Sequence, residues 1–406
     1  MKLTPLAKII LLLLILGASI GGYRFIAPGR GPNAGNISQN VDPNADSNAA
    51  DSVEAGNSGA TPGDSDPPKG QRELQFITSA SKKGWIVQQI DKFNALATTK
   101  IPVVLKSVET REAMHQILDG KAKPALWSPS SVIWADRLSE AYKGGDILDT
   151  GDDDSYRVIL RSPLVFLTTK SKLPALRPLL GNARCWRNIR DLSSGKIRVP
   201  YGNFKWAHAD PLNANSGMLT LALILADYAD QTGQGGSIER VANSPAFVSY
   251  LKSLESKIVY NAAVEKGSSA LVKSFTDDPT RYDFIVAYES NALEEVAKNP
   301  ELAVVYPTPT VNSESAVAVL NGPWLSPAQK SGARDFLKFL SQPAAAREAL
   351  QENFRPVRGA SLAAKIERNS AAGFRQSYSA IELPPYSALN AAAFQWRVEI
   401  AKKSPN

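Results

Sequence analysis

The sequence predicts an α/β fold in which strands alternate with covering helices. Between residues 74 and 142, a strand, a polar turn and a helix follow one another three times. This alternation is typical of a parallel sheet with helices on its faces. The 406-residue chain is 43% hydrophobic and 21% charged, as in soluble globular proteins. Its length allows two domains of ordinary size and a tail.

The N-terminus predicts a membrane anchor. Lys2 and Lys8 precede an apolar run, Ile9–Ile20, which is the pattern of a secretory signal. With its flanking residues the segment approaches the roughly 20 residues that cross a bilayer. Cleavage around residues 17–22 is the alternative. We expect residues 1–26 to be an uncleaved single-pass transmembrane helix.

A low-complexity stretch follows the anchor. Residues 27–72 are rich in Gly, Asn, Ser, Asp, Ala and Pro and contain almost no large apolar side chains. Such a composition cannot bury a core and predicts a disordered linker. A long linker suits a body that is tethered to the cell membrane and lies in the periplasm or outside the cell.

The first part of the body has three predicted strands, at residues 74–78, 101–105 and 125–127. The helix after the first strand has an apolar stripe at Ile86, Ile90 and Phe93. In parallel sheets, ligands bind beyond the carboxyl ends of the strands. Serines stand at two of these ends: Ser79 and Ser81 after the first strand, Ser128 and Ser130 after the third. Each is a candidate ligand contact or a plain helix cap.

The second part of the body contains further strands and helices. Strands are predicted at residues 163–168, 197–199, 282–288, 302–306 and 315–320. Helices are predicted from Asn215, over about 245–255, through 270–275, after 289–291, around 333–340 and 346–350, and from 386 to about 400.

The junction before the helix at Asn215 is the most informative stretch. Asn215 and Ser216 are good N-cap residues, and Gly217 lets a ligand or a neighbouring backbone approach the first turn. The first N–H groups of a helix lack intrahelical partners and carry partial positive charge, so they attract phosphate, sulfate or carboxylate. An ordinary capped helix is the alternative.

Composition disfavours several function classes. The net charge is +7, but the sequence contains no Lys/Arg-rich block of the kind that indicates nucleic-acid binding. The single Cys185 excludes an intrachain disulfide, and with only His115 and His208 a tetrahedral zinc site lacks ligands. Acyl transfer would have to use His208, Asp210 and Ser216 without a Gly-x-Ser-x-Gly elbow. We expect a non-enzymatic protein without catalytic residues, metal or cofactor.

Three stretches resemble bacterial extracellular solute-binding proteins of the periplasmic type II class. They are DPLNANSG at 210–217, DFIVAYES at 283–290, and the tail from GPWLSPAQ at 322 through FLKFLSQP to NFRP at 353–356. The resemblance implies two α/β lobes joined by crossing segments that close on a ligand. Lobe 1 would comprise residues 73–161 and 310–406, and lobe 2 residues 162–309.

The resemblance also implies a set of ligand-binding residues. They are Ser79, Ser81, Trp127, Ser128, Asn215, Ser216, Gly217, Tyr288 and Glu289. Hydroxyl and backbone N–H groups from two lobes would hold a small oxyanion without a counter-charge. Glu289 would repel an anion unless it accepts hydrogen bonds from the ligand. Trp127 and Tyr288 would equally cover a sugar-like or organic ligand.

The expected function is therefore that of an extracytoplasmic solute-binding protein. Its ligand would be an oxyanion or a small polar solute, and its partner an ABC transporter permease or another membrane protein of a sensory system. The alternative is a membrane-anchored protein-interaction module with the same fold and no role in transport.

Overall fold

The structure, a computed structural model, describes residues 73–401. The predicted anchor (1–26) and linker (27–72) lie outside the described residues. Within residues 73–401, no helix combines the length and the hydropathy that a bilayer crossing requires.

The described chain alternates strands and helices, as predicted. The strands are β1 (Leu74–Thr78), β2 (Val103–Ser107), β3 (Leu126–Ser128), β4 (Tyr156–Thr169), β5 (Trp206–Ala207), β6 (Phe284–Tyr288), β7 (Leu302–Val305), β8 (Asn312–Val319) and β9 (Arg355–Pro356). The helices up to α8 are α1 (Lys83–Asn94), α2 (Thr110–Leu118), α3 (Val132–Ala141), α4 (Leu173–Leu180), α5 (Cys185–Ser193), α6 (Asn215–Gln231), α7 (Ile238–Ala242) and α8 (Pro245–Leu254). The later helices are α9 (Ala262–Lys266), α10 (Ser268–Asp277), α11 (Glu289–Lys298), α12 (Pro327–Leu340), α13 (Pro343–Gln351), α14 (Ala363–Asn369) and α15 (Tyr386–Glu399).

The sheet consists of two halves that share the long strand β4. In the first half, β1 pairs in parallel with β2 and β3, β3 pairs antiparallel with β8, and β8 and β9 pair antiparallel with the beginning of β4. In the second half, the end of β4 pairs antiparallel with β6 and β7, and β5 pairs in parallel with β6. Pro163 is the last residue of β4 that pairs with β8, opposite Asn312, and Leu164 is the first that pairs with β6, opposite Tyr288. The sheet is thus mixed rather than parallel throughout.

Each half has an aromatic core. In the first half, Phe336 lies 5.8 Å from Phe76 and 5.0 Å from Phe93, measured between ring centroids. In the second half, Phe284 lies 4.9 Å from Phe166 and 5.6 Å from Trp206. Edge-on and offset aromatic pairs add stability beyond the area they bury.

The structure differs from the prediction around residues 197–199, which do not form a strand. Val199 makes a single bridge with Gly202, and the strand of this region is β5, which pairs with β6. Pro200 has no N–H to donate to a ladder, and Gly202 has a φ of +106°, so the chain turns here. The helices α4, α5, α7, α9 and α14 were not predicted.

The C-terminal tail divides between the two halves, whereas we expected residues 310–406 to lie with the first half. Helices α12 and α13 pack on β8, β9, β1 and α1, but α15 packs against α6, α7 and α8 of the second half. The reason is a stripe of side chains that are fully buried against those helices, with Leu389 and Trp396 as its largest members.

Candidate functional site

Short polar side chains meet between the two halves of the sheet. We call this group the polar cluster; it comprises Ser79, Ser81, Thr110, Ser130, Asn215, Tyr288 and Ser313. Ser79 Oγ lies 2.7 Å from Ser130 Oγ and 3.0 Å from Ser81 Oγ. Thr110 Oγ1 accepts the N–H of Ser130 at 3.1 Å. The two serine-rich strand ends that the sequence indicated are therefore in direct contact.

Asn215 joins the halves, because its amide bonds to groups on both. Its Nδ2 donates to the Ser130 carbonyl at 3.2 Å and to the Tyr288 hydroxyl at 3.1 Å. Its Oδ1 accepts the indole N–H of Trp134, on α3, at 2.8 Å. Ser313 Oγ, at the start of β8, donates to the same Ser130 carbonyl. Burial raises the pKa of the Tyr288 phenol, so this hydroxyl stays neutral.

The start of α6 is held by close backbone packing. Asn215 is the first residue of the helix, after Ala214 in extended conformation, and neither Asn215 nor Ser216 is the N-cap that we expected. A Cβ built on Gly217 would lie 2.0 Å from the Ala209 carbonyl oxygen, so only glycine fits there. Ser216 Oγ lies 2.5 Å from Ser268 Oγ, at the start of α10. Gly217 therefore admits a neighbouring backbone segment, one of the two roles considered for it.

Ser128 and Trp127 lie beside the polar cluster but point elsewhere. Ser128 Oγ donates to the Ala316 carbonyl at 2.7 Å, within the sheet of the first half. Trp127 is completely buried in the apolar core, and its indole N–H has no partner among the described residues. In this arrangement neither side chain is presented to a ligand.

Glu289 follows Tyr288 directly, but its carboxylate belongs to a second group of side chains. It accepts hydrogen bonds from Arg355 Nη2 at 2.6 Å, Lys365 Nζ at 2.5 Å and the Tyr306 hydroxyl at 2.6 Å. We call these four side chains the ion-pair cluster. All four are buried. The negative charge that we expected to face a ligand is thus compensated inside the protein.

A buried lysine stands close to the polar cluster. Lys82 is 2% exposed, and its Nζ donates to the Pro129 carbonyl at 3.4 Å. Burial lowers its pKa to about 7, against the opposing attraction of Glu109. Burial likewise raises the pKa of Glu109, while Lys82 counteracts this shift. These two residues bring one charge of each sign near the serines.

A cavity of about 460 Å³ opens between the halves next to the serines. Its wall includes Ser81 and Lys82 from the first half and Ser269, Ser290 and Asn291 from the second. The buried Oδ1 of Asn291 has no hydrogen-bond partner among residues 73–401. Polar groups of both halves thus border a space that is open to solvent.

Sequence reasoning missed several of these residues. Ser268 is the first residue of a helix, as Asn215 is, so it could have been found by the same signal. Ser313 lies near the beginning of strand β8, where the strand-end signal that identified Ser79 does not apply. Trp134 gave no such signal because it is part of the apolar stripe of a helix. Lys82 gave none because the pair Lys82-Lys83 resembles a solvated surface. Within the described residues, no group of three or more His, Cys, Asp or Glu side chains is placed to hold a metal ion.

Comparisons with known proteins agree with this architecture. Residues 74–354 match the family described as bacterial extracellular solute-binding protein. No curated protein sequence matches the chain at a significant level.

Solved structures with a similar fold cover most of the described chain. The sulfate-binding protein SubI from Mycobacterium tuberculosis is 17% identical with a TM-score of 0.54, over 82% of this chain and 99% of that one. A periplasmic thiamin binding protein is 14% identical with a TM-score of 0.58, over 80% and 96%. The ferric binding protein from Campylobacter jejuni is 12% identical with a TM-score of 0.55, over 82% and 99%. At these identities the similarity shows the fold.

Proposed function

Because the chain belongs to the bacterial extracellular solute-binding protein family, we propose that it binds a small polar solute between two lobes that correspond to the two halves of the sheet. Its body acts outside the cytoplasm, as the family does. The ligand would contact the polar cluster and the adjoining cavity, and closure of the lobes would enclose it.

The observation that carries this proposal is the position of Asn215. Asn215 is 5% exposed, and its amide bonds to Ser130 in one half and to Tyr288 in the other. Separation of the halves would free these groups, along with the serine hydroxyls, for a ligand. Since hydroxyl and amide groups both donate and accept, they suit the oxygen atoms of a polar solute.

We propose an oxyanion or a small hydroxyl-bearing solute as the ligand. The polar cluster is neutral and rich in donors, which suits an oxyanion. Lys82 and Glu109 bring one charge of each sign beside it. The wall of the adjoining cavity also carries Lys273 and three carboxylates, Glu294, Glu295 and Glu352, so charge alone does not select an anion over a neutral solute. The structural neighbours are named for sulfate, thiamin and ferric ligands, which indicates that this fold accommodates very different solutes.

The proposed partner is the permease of an ABC transporter or a membrane protein of a sensory system. The anchor at residues 1–26 would keep the body at the outer face of the cell membrane, and the linker at residues 27–72 would let it reach that partner. Tethering raises the effective concentration of the body near the partner.

A thermal-shift screen tests the ligand assignment. The full-length protein in detergent micelles is heated with sulfate, phosphate, molybdate, sugars and amino acids in turn. A ligand present at 100 times its Kd stabilises the folded state by about 2.7 kcal/mol, so one class should raise Tm by several degrees. Asn215→Ala should abolish that shift, whereas Asn243→Ala, at an exposed helix end, should retain it. An unchanged shift in Asn215→Ala would place the ligand elsewhere.

A second candidate is a protein-interaction module that remains closed. It is favoured by one observation: the groups of the polar cluster already bond to one another. Such a module would show no Tm shift with any solute and no compaction in small-angle scattering. Removal of residues 1–72 would then abolish its activity in the cell and leave its Tm unchanged.

A further inference from the structure

The C-terminal segment after the family match contacts both halves of the sheet. The match ends at residue 354. The chain then crosses beside the strands that join the halves: Val357 N–H donates to Ile159 O at 3.1 Å, and Ile381 N–H donates to Thr310 O at 2.8 Å. We call residues 357–399, which end with α15, the C-terminal strap. It forms a third connection between the halves, next to β4 and the chain entering β8.

The end of α15 is fixed to the second half by buried polar groups. Arg397 Nη2 lies 2.5 Å from Asp210 Oδ2, and that carboxylate is fully buried. The indole N–H of Trp396 donates to Glu255, which also bonds to His208 at 3.1 Å. Separation of these groups would leave buried charges without partners, so this end of α15 is the permanent attachment.

The beginning of α15 contacts the first half through weaker interactions. The Tyr386 ring lies edge-on to Trp134 with centroids 5.6 Å apart, and the Arg137 guanidinium lies 5.2 Å from the Tyr386 ring. Arg111 Nη2 donates to Asn390 Oδ1 at 3.1 Å. Tyr386, Arg137, Arg111 and Asn390 are all half-buried, so water can solvate them after separation.

These contacts are adjacent to the polar cluster. The same Trp134 that packs against Tyr386 donates its indole N–H to Asn215 at 2.8 Å. The Arg111 guanidinium also lies 5.2 Å from the Trp134 ring. The Trp134 ring therefore contacts Tyr386 of α15 and Arg111 of α2, while its indole N–H bonds to Asn215, the residue whose amide joins the halves.

We propose that the C-terminal strap is a latch that holds the two halves closed. Opening requires the beginning of α15 to leave α2 and α3, while its end stays attached to α6 and α8. The latch rests on the proposed function, since it assumes that the halves separate to exchange a ligand. Ligand exchange would then be limited by release of Tyr386 and Asn390 from the first half.

The test is a ligand-free measurement on the full-length chain in micelles. The double variant Arg111→Ala/Tyr386→Ala removes these contacts with the first half. It keeps the Arg397–Asp210 ion pair and the Trp396–Glu255 hydrogen bond, while Asp210 loses the weaker attraction of Arg111. Hydrogen exchange of the amides in residues 215–219, at the start of α6 in the other half of the sheet, should become at least ~10-fold faster, because separation of the halves would expose them. The control is Phe394→Ala on the same helix, whose side chain is 60% exposed, and its exchange should match wild type.

Unchanged exchange in the double variant would overturn the latch. Deletion of α15 is less informative, because loss of the partners of Asp210 and Glu255 can unfold the second half. A scattering profile of the double variant supplies a second readout, with a larger radius of gyration expected. Neither readout uses a ligand, so a failed ligand screen would refute the proposed function without affecting this result. If a ligand is found, its association rate should increase in the double variant and stay constant in Phe394→Ala.

Discussion

Two neighbouring residues, Tyr288 and Glu289, enter two different groups of buried polar side chains. Tyr288 joins the polar cluster, in which neutral hydroxyl and amide groups bond across the halves. Glu289 joins the ion-pair cluster, in which a carboxylate is enclosed by Arg355 and Lys365. Burial lowers the pKa of Lys365 to about 8 against the attraction of Glu289, which shows how strongly this second group is desolvated.

The two clusters differ in whether their side chains can exchange their hydrogen-bond partners at low cost in free energy. A neutral hydrogen bond contributes about 1 kcal/mol net, since water replaces the lost partner once the group is exposed. A buried charge that loses its partner costs several kcal/mol. The polar cluster is therefore suited to repeated opening and ligand exchange, and the ion-pair cluster to fastening β9 and α14 onto the second half.

The sharpest way to test this comparison is Glu289→Gln. The substitution keeps the shape and removes the charge, so Arg355 and Lys365 are left buried without compensation. We expect a loss of about 3–5 kcal/mol in the free energy of unfolding, measured by urea denaturation. Glu294→Gln is the matched control: Glu294 pairs with Lys298 at 2.7 Å on the same helix but is half-exposed, so its loss should stay below about 1 kcal/mol. Equal losses in both variants would contradict the comparison.

The start of α6 allows a second test, on packing rather than charge. In Gly217→Ala the new methyl group would meet the Ala209 carbonyl oxygen at 2.0 Å, so the helix start must move away from residues 209–211. We expect about 1–3 kcal/mol of destabilisation, in the range of overpacked cores, and weaker ligand binding because Asn215 moves with the helix. Gly235→Ala is the control, since its Cβ would meet nothing within 4 Å. A normal urea midpoint for Gly217→Ala would show that the helix start adapts freely.

A smaller effect on stability is expected for the polar cluster itself. Ser79→Ala removes the hydroxyl that bonds to Ser81 and Ser130, and we expect a loss of about 1 kcal/mol. Ligand affinity, measured by calorimetry, should decrease at least ~10-fold, because the same hydroxyl would contact the solute. Ser249→Ala, in which a helix-surface hydroxyl is lost, controls for the removal of a serine. Unaltered affinity would remove Ser79 from the site.

The smallest effect concerns pH. His208 is fully buried; burial lowers its pKa, but Glu255, the Ala209 carbonyl and Asp210 raise it more, so the net shift is upward. A raised folded pKa gives stability that is complete below the unfolded value near 6.5 and is lost as pH rises through the folded value. The lowered pKa of Lys82 has the opposite effect: it makes the free energy of unfolding rise with pH between the folded value of about 7 and the ordinary value of 10.5.

The difference between wild type and His208→Gln isolates the histidine. Wild type should lose stability relative to the variant as pH rises above 6.5, with a slope below about 1.4 kcal/mol per pH unit. Around the ring, the charges to consider are Glu255 at the end of α8, Asp210 before α6 and Arg397 on α15. A pH-independent difference would show that His208 titrates equally in both states. His115→Gln, at the other histidine, serves as the control.

The sequence predicted the alternating fold because each signal was local. Ser79, Ser130 and Asn215 follow strands or start a helix, and topology then brings strand ends together. The role of Glu289 had no local signal, because Arg355 and Lys365 are 66 and 76 residues away in the chain. The placement of α15 was equally hidden: its apolar stripe predicts a buried face but does not identify the helices that cover it.

The 14-residue strand β4 restricts where the chain can gain or lose residues. It pairs with the first half up to Pro163 and with the second from Leu164, and its register shifts between Val158 and Leu160. Because side chains alternate along a strand, an insertion or deletion of one residue after this bulge would move every following side chain of β4 to the opposite face of the sheet. Leu164 and Phe166 pack into one apolar cluster and Val165 and Leu167 into another, so both cores would have to repack. Related sequences that gain or lose residues should do so in surface turns such as Gly144–Gly145, while the spacing between the bulge and Thr169 stays constant.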